Sequence, residues 1–590
     1  MGNCGSAVRC FGALVISASL QACSAWAPVD ETRDGQDETG VLGTSSQRLD
    51  ANFVAAPGGA RRLMARHYQR AIDNIFGTAV ANAAVPPPDP DTGGIDAIAA
   101  RELPYDPASV QQIEASAFAV AQAAVTTLSN TSSKLKTQAP CVVQGPFIKS
   151  FRDFCYGQVA QRVANLAWRV PPTPTLKARL VQLGQLGEAG TSDSDKFLSG
   201  LKILLATILE SPSFLYSVEV GVPIAGSSNR KLNAFELATR LSLFLLGRPP
   251  SEDLLTKAAA GQLSTTAGIR SVAQGLLTDS LSREGLRDHV ADMFELKRVI
   301  GQSKPAFQAV GVSADAMTAS MAEEVQRFSA DVVFDHRRSF LNILTDETRF
   351  IDHNLGLLYG VPVTTDWAGV NFATVAPAQR RAGVMASAAM MTTFSHLTLT
   401  SPTRRGLFIR SSMLCEGIGS PPPGLDITPH PPDPGKSLRQ SFEAGHAGCG
   451  PCHPKMDPLG YPFEGFDEIG RFRTTDNGVD ISADAPDEPL RGDFVTGTST
   501  VHFHENKDLM VNILANPAVG VGDPLKGGTS VPRCWVNQLY RSAVGIKEDT
   551  IQESALVDLD TAFGANGYDL QQLLVEIVAS PAFTQVGPLR

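Results

Sequence analysis

The pentad Cys449-Gly450-Pro451-Cys452-His453, set in the run GHAGCGPCHPKMDPLGYPFEGFDEIGRFR, constrains this chain more than any other stretch. Two thiols three positions apart and an adjoining imidazole have to share one side of a tight turn or of a first helical turn. C-x-x-C-H is the attachment signature of c-type haem. The thiols form thioethers with the two vinyl groups of the porphyrin, and the imidazole reaches the iron as proximal ligand. With nine Cys and ten His among 590 residues, coincidence is a poor account of it. Two other readings stand beside this one. Structural zinc needs four ligands and the pentad supplies at most three, so His446 or the His502/His504 pair would have to complete the set. The plainest reading is a small disulfide turn between Cys449 and Cys452 beside an unconnected His.

Residues 1–23 read as a lipoprotein signal. Arg9 gives a weakly basic start, CFGALVISASL is an apolar run too short to span a bilayer comfortably, and Leu20-Gln21-Ala22-Cys23 follows. That tetrad resembles a bacterial lipobox, with Cys23 as the lipidated first residue of the mature chain. The alternative is an ordinary secretory signal cut near Ala22 or Ala25. Either way the chain is expected to be exported and, in the lipobox reading, lipid-anchored in the cell envelope, at the outer membrane or the periplasmic face. Setting aside Cys4, Cys10, Cys23, Cys449 and Cys452 leaves four cysteines, an even number that suits an oxidising compartment. Cys141 and Cys155 are the easy pair, and Cys415 with Cys534 would be a long-range clasp; two buried free thiols are the alternative.

No second run of eighteen apolar residues occurs, so the part beyond the anchor is expected to be soluble. A net charge of −10 argues against a nucleic-acid partner, which would want a basic face. Residues 24–58 are acidic and poor in apolar spacing, as a flexible tether would be. Beyond them apolar residues recur at helical spacing: a small helical domain over 59–135, a helical segment with Cys141 and Cys155 over 136–195, and a main helical domain over 196–365. A helical segment and Pro-rich loop follow over 366–436, then the haem segment over 437–500 and a C-terminal helical domain over 501–590. Start signals are explicit in places: Asn233 with Glu236 three residues on, and Ser401-Pro402. Strand patterns are few, GVNFATVA at 369–376 being one. The fold class is mostly α and multi-domain, with a cytochrome-c-like haem segment in the C-terminal half. One internal echo stands out: LLATILESPSFLY and LLVEIVASPAFTQ both end an apolar helix in Ser-Pro-x-Phe, which shared helix-ending chemistry explains without ancestry.

Taken in order, several segments resemble a family of large exported bacterial proteins, built from domains of unknown function that accompany planctomycete-type cytochrome c. The resemblance covers roughly 141–587 and rests on ILESPSFLYSVE, LNAFELATRLSLFLLGRPP, QRRAGVMAS with SHLTLTSPTRRG, CGPCHPKMDPLGYPFEGFDEIGRFR, and CWVNQLYRSAVGI followed by LLVEIVASPAF. It implies export and a haem, not a substrate. This chain departs from the pattern in its lipobox and in having no second C-x-x-C-H, so a single haem c is the expectation.

With His453 as proximal ligand, the other side of the iron is open. Met456, three residues on, is packing. Met510 has a separation suited to a small c-type module and would give His/Met ligation, though a Met in DLMVNIL also suits an apolar helix face. His446, His396, His502 and His504 are rivals, and the imidazoles of His502 and His504 would share one side of a strand. Asp457-Pro458 would supply a turn and Phe463/Phe466 an apolar wall for an exposed haem edge. Arg471 and Arg473 would pair with propionates or, more plainly, with Asp467 or Glu468. No nucleophile elbow, phosphate loop or H-E-x-x-H occurs. The expected function is one-electron transfer to an unknown redox partner in the envelope. A haem enzyme of peroxidase or oxygenase type with an open distal site is the first alternative. The second is a structural or polysaccharide-binding lipoprotein whose Cys/His cluster is a staple.

Overall fold

The computed structural model describes residues 53–589 apart from 91–93, 146, 420–431, 446–451, 483, 497–498, 522–529 and 549–551. The expected signal with Cys23, residues 24–52 of the expected tether, most of the Pro-rich loop, His446 and Cys449 lie outside the described residues. Helices make up 58% and strands 9%, so the chain is mostly α.

Local sequence accounts for where many helices start. Strand β1 (Pro57–Arg62) leads into α1 (Ala65–Phe76). Helix α2 (Pro107–Thr126) opens where the Asp106 carboxylate accepts from the Ser109 amide at 2.6 Å, with Pro107 in the first turn where no amide is needed. Helix α3 (Lys149–Trp168) carries Cys155, which is disulfide-bonded to Cys141. Helix α4 (Asp193–Glu210) begins at a capping box of Ser192 and Asp195. Tyr68, Ile72, Val120, Tyr156, Phe197, Leu204 and Phe214 bury into one core drawn from Leu63 to Leu215, to which Leu243 and Leu255 are added from further along the chain.

The expected boundaries move accordingly. Residues 59–135 are not a separate domain, and 196 does not open the main one, because the apolar stripe of α4 is covered by α2 and α3 behind it. A helical stripe announces a buried face without saying which neighbour will cover it. The break falls instead in the strands β2 (Tyr216–Glu219), β3 (Val222–Pro223) and β4 (Arg230–Lys231). The last residues of the stretch expected as a tether, 53–58, are instead folded: Phe53, Ala55 and Ala56 are buried in the second core and β1 begins at Pro57.

That second core is continuous from Leu232 to Val586, so the divisions expected near 365, 436 and 500 lie inside it. It packs α5 (Ala234–Leu245), which starts at the Asn233/Glu236 capping box, against α6 (Ser282–Met293), and α6 against α7 (Ala314–Ala330). Strands β5 (Thr348–Ile351) and β6 (Ala368–Asn371) form a ladder. The run expected as a strand over 369–376 turns helical at Phe372, because the Asn371 side chain caps the Ala373 amide at 2.9 Å. Helices α8 (Pro402–Phe408) and α9 (His453–Gly460) follow, then two hairpins, β7 (Thr475–Asp476) with β8 (Val479–Asp480) and β9 (Gly492–Thr496) with β10 (Ser499–Phe503). Helix α10 (Val531–Val544) holds Cys534 in a disulfide with Cys415, and α11 (Leu570–Ala579) leads to the last strand, β11 (Gln585–Leu589).

A five-stranded sheet in the order β2-β1-β11-β4-β3 brings Pro57–Arg62 beside Gln585–Leu589. Strand β1 runs antiparallel to β2 and parallel to β11, so both Ser-Pro-x-Phe segments feed strands that flank it. Among the described residues no helix is long and apolar enough to cross a membrane.

Candidate functional site

Helices α8 and α9 lie antiparallel in close contact, and two glycines make that possible. A Cβ on Gly406 would lie 1.8 Å from the Met456 carbonyl oxygen, and one on Gly460 would lie 2.0 Å from that of Pro402. Any side chain at either position would force the backbones apart. The register is read from side chains: Thr400 meets Glu464, Thr403 meets Asp457, and Arg410 meets the Lys455 carbonyl. Ser401 caps α8 by accepting from the Arg404 amide, as its Ser-Pro start implies.

His453 opens α9 with Cys452 at the N-cap. Cys452 is a half-exposed free thiol, and the His453 side chain is 23% exposed. The Nδ1 of His453 lies 2.9 Å from Oδ2 of Asp457, one helical turn on. The other oxygen of that buried carboxylate accepts from Thr403 Oγ1 at 2.7 Å. Asp457-Pro458 is therefore not the turn expected of it: Pro458 lies inside α9 and Asp457 is a partner of the imidazole. The i, i+4 spacing of His453 and Asp457 is the signal that could have shown this from sequence. No comparable signal pointed to Thr403.

A neutral imidazole that donates Nδ1–H to a carboxylate presents the lone pair of Nε2 to a ligand, the tautomer a proximal haem ligand requires. Half-exposed Leu407 lies on the face of α8 that carries Thr403 and Arg410. The described part of the pentad thus fits a haem.

The other expected residues are placed elsewhere. Met510 is fully buried in the second core, in a wide turn at Leu509–Leu514. His396 lies at the opposite end of the α8–α9 pair from His453, where its carbonyl accepts from buried Lys304 at 2.7 Å and Ser395 Oγ donates to the Glu468 carbonyl at 2.8 Å. Burial, with Arg404 and Lys304 nearby, pushes His396 down to about 4, and burial takes Lys304 down to about 8. His502 pairs with Asp493 at 2.7 Å, and His504 falls beyond the end of β10, 3.6 Å from Glu488, so the two do not share a strand face. Among the described residues no three His, Cys, Asp or Glu are grouped to hold a metal ion.

Phe463 and Phe466 are buried in the second core and form no wall for an exposed haem edge. Arg471 Nε donates to Asp467 at 2.7 Å, while Arg473 reaches Glu464 at 3.0 Å and Asp476 at 2.7 Å. Both guanidiniums therefore have carboxylate partners within the chain, and Arg473 pairs with neither residue expected of it.

Sequence reasoning also missed the buried arginines that brace this region. Arg405 donates to the Phe463 carbonyl at 2.7 Å and to Glu464 at 3.0 Å. Arg381 lies between the rings of Tyr359 and Phe466, 4.2 and 4.4 Å from their centroids, and donates to the carbonyls of Ala386 and Gly470. Burial lowers it to about 10.

Three domain families match the chain in order. PSD5, a protein of unknown function (DUF1595), covers 155–219; PSD4 (DUF1592) covers 232–361; PSCyt3 (DUF1588) covers 381–476. The gap between the first two matches coincides with the break between the two cores, and the third spans Thr403, Cys452, His453 and Asp457. No curated protein and no solved structure matches the chain. The chain is thus similar, over these three stretches, to domains whose names fit the planctomycete cytochrome c-associated family and which are all of unknown function.

Proposed function

We propose that this chain is an exported c-type haem protein, anchored in the cell envelope through a lipid on Cys23, that passes single electrons to a redox partner there. The observation that carries the reading is His453, next to the Cys452 thiol, with its Nδ1 on the Asp457 carboxylate. The name of the PSCyt3 family supports it. Cys449 and Cys452 would each add a thiol across one vinyl group, sulfur to one carbon and hydrogen to the other, so that no oxidant is consumed. The bound haem supplies a one-electron couple at the iron. His453 would hold the iron through Nε2, and Asp457, bonded to its Nδ1, would orient the imidazole.

Met510 is the distal ligand that sequence separation favours, but its sulfur would have to leave the core to serve. That burial favours a second reading, a haem enzyme whose distal position stays open to a small molecule. A high-spin ferric spectrum that responds to cyanide would select the second reading; a low-spin spectrum indifferent to cyanide would select transfer.

The test of the cofactor is a pyridine haemochrome spectrum and a haem-stained denaturing gel. The protein is produced beside a cytochrome c maturation system, as wild type and as Cys449→Ala/Cys452→Ala. Covalent haem in the wild type alone is the expected result. Its absence from the wild type would overturn the reading and leave the Cys/His cluster a staple.

A further inference from the structure

The contact between α8 and α9 does more than pack two helices. Thr403 Oγ1, the two oxygens of Asp457 and Nδ1 of His453 form one line of hydrogen bonds, at 2.7 and 2.9 Å, that starts on α8 and ends on the imidazole. Asp457 is 4% exposed and cannot trade these partners for water. Its position is over-determined by the backbone contact of the two helices at Gly406 and Gly460. Sequence separates the two ends of this line by fifty residues, and only the antiparallel register brings them together.

Resting on the haem reading above, we infer that Asp457 is the positioning residue of the proximal ligand and Thr403 its regulator. The carboxylate holds His453 as the Nδ1–H tautomer and makes Nε2 a stronger electron donor, which favours ferric over ferrous iron and sets a low reduction potential. The Thr403 hydroxyl, donating to the far oxygen, draws charge from that carboxylate and restrains the effect.

Two variants with opposite expected signs test this. Asp457→Asn removes the charge while keeping the shape, and the potential rises; Asp457→Glu restores part of the shift. Thr403→Val keeps the carboxylate but removes the donor, and the potential falls by a smaller amount. General loosening of the site would move both variants the same way. An independent readout needs no haem: in the haem-free chain labelled with 15N-histidine, the His453 resonances report the Nδ1–H tautomer in the wild type and a mixture in Asp457→Asn. Should Asp457→Asn fail to fold, Thr403→Val and the wild-type tautomer still decide. Haem bound at wild-type level with unchanged or like-signed potentials, or an Nε2–H tautomer in the wild type, overturns the inference alone. Haem missing from every variant overturns the haem reading and this inference together.

Discussion

The chain makes one corner twice, at 208–219 and at 577–589, and the two copies differ in how they carry a buried charge. In each, an apolar helix ends, Ser-Pro starts a single helical turn, a Phe folds into the core and a strand begins: Ser211 to Phe214 and β2, Ser580 to Phe583 and β11. In each, the carbonyl after the Phe accepts a backbone amide from a distant segment, Leu215 from Leu63 at 2.7 Å and Thr584 from Leu232 at 3.0 Å. In each, a buried arginine donates to the Phe carbonyl, Arg169 at 3.2 Å and Arg240 at 2.5 Å. At the second corner Glu219 grips Arg240 through two hydrogen bonds, and both side chains are 1% exposed. Burial opposes the Arg240 charge, Glu219 outweighs it, and its pKa rises. At the first corner Arg169 donates to the carbonyls of Ser213, Phe214 and Tyr216, and burial lowers it to about 10. The same Ser-Pro-x-Phe pattern thus yields the same turn, while tertiary neighbours decide whether its charge is balanced. Because Glu219 belongs to the strand that leaves the first corner, its ion pair with the second also ties the two cores together.

The largest way to break the comparison is Glu219→Leu. It strands Arg240 in the core without its carboxylate, and a loss of about 3–5 kcal/mol is expected from the urea unfolding midpoint. If the loss stays under about 1 kcal/mol, as for an exposed pair, then the balance of charge is not what separates the corners.

Acid comes next, and it acts at the second corner. His289 lies 4.8 Å from Phe244, the ring that packs on Phe583, and bonds to the Phe244 carbonyl at 2.9 Å. Burial pushes it down to about 4, against 6.5 in the unfolded chain. Between those values the unfolded state binds the extra proton, so stability is full above about pH 6.5. It falls as pH drops towards 4, by up to about 3 kcal/mol, and levels off below that. At the first corner Tyr68 packs on Phe214 and burial raises it to about 12, so it does not titrate in acid. Unfolding of wild type and His289→Asn across this range checks the window: a flatter acid slope is expected in the variant.

Arg169→Met sharpens the contrast from the other side, with the smallest effect. Three carbonyls lose a donor, which costs about 2 kcal/mol by the same unfolding measurement. No opposite charge is orphaned, so the cost should stay below that of Glu219→Leu; an equal or larger value would show that carbonyl solvation of a guanidinium matches a carboxylate in this core.

The candidate site was legible in part. The pentad named Cys452 and His453, and the i, i+4 spacing of His453 and Asp457 was present to be read. Thr403 was not, because its role depends on how α8 slides along α9. The fold divides in the same way. The Asn233–Glu236 box, the Ser401-Pro402 start and the cap of α4 are where local chemistry places them, since each is satisfied within a few residues. The burial of Phe463 and Phe466 and the pairing of Arg473 went elsewhere than expected, since both turn on which surfaces meet.

What the sequence by itself determined is therefore the local grammar: helix starts, the two corners and a thiol-thiol-imidazole pentad. What only the tertiary structure decided is partnership. Strand β1 lies between strands that begin at Tyr216 and Gln585, and α4 packs backwards onto α2 and α3. The reason is physical. A cap or a turn is closed by groups a few bonds away, whereas the partner of a buried face or charge is whichever distant segment covers it with least void and no unpaired charge.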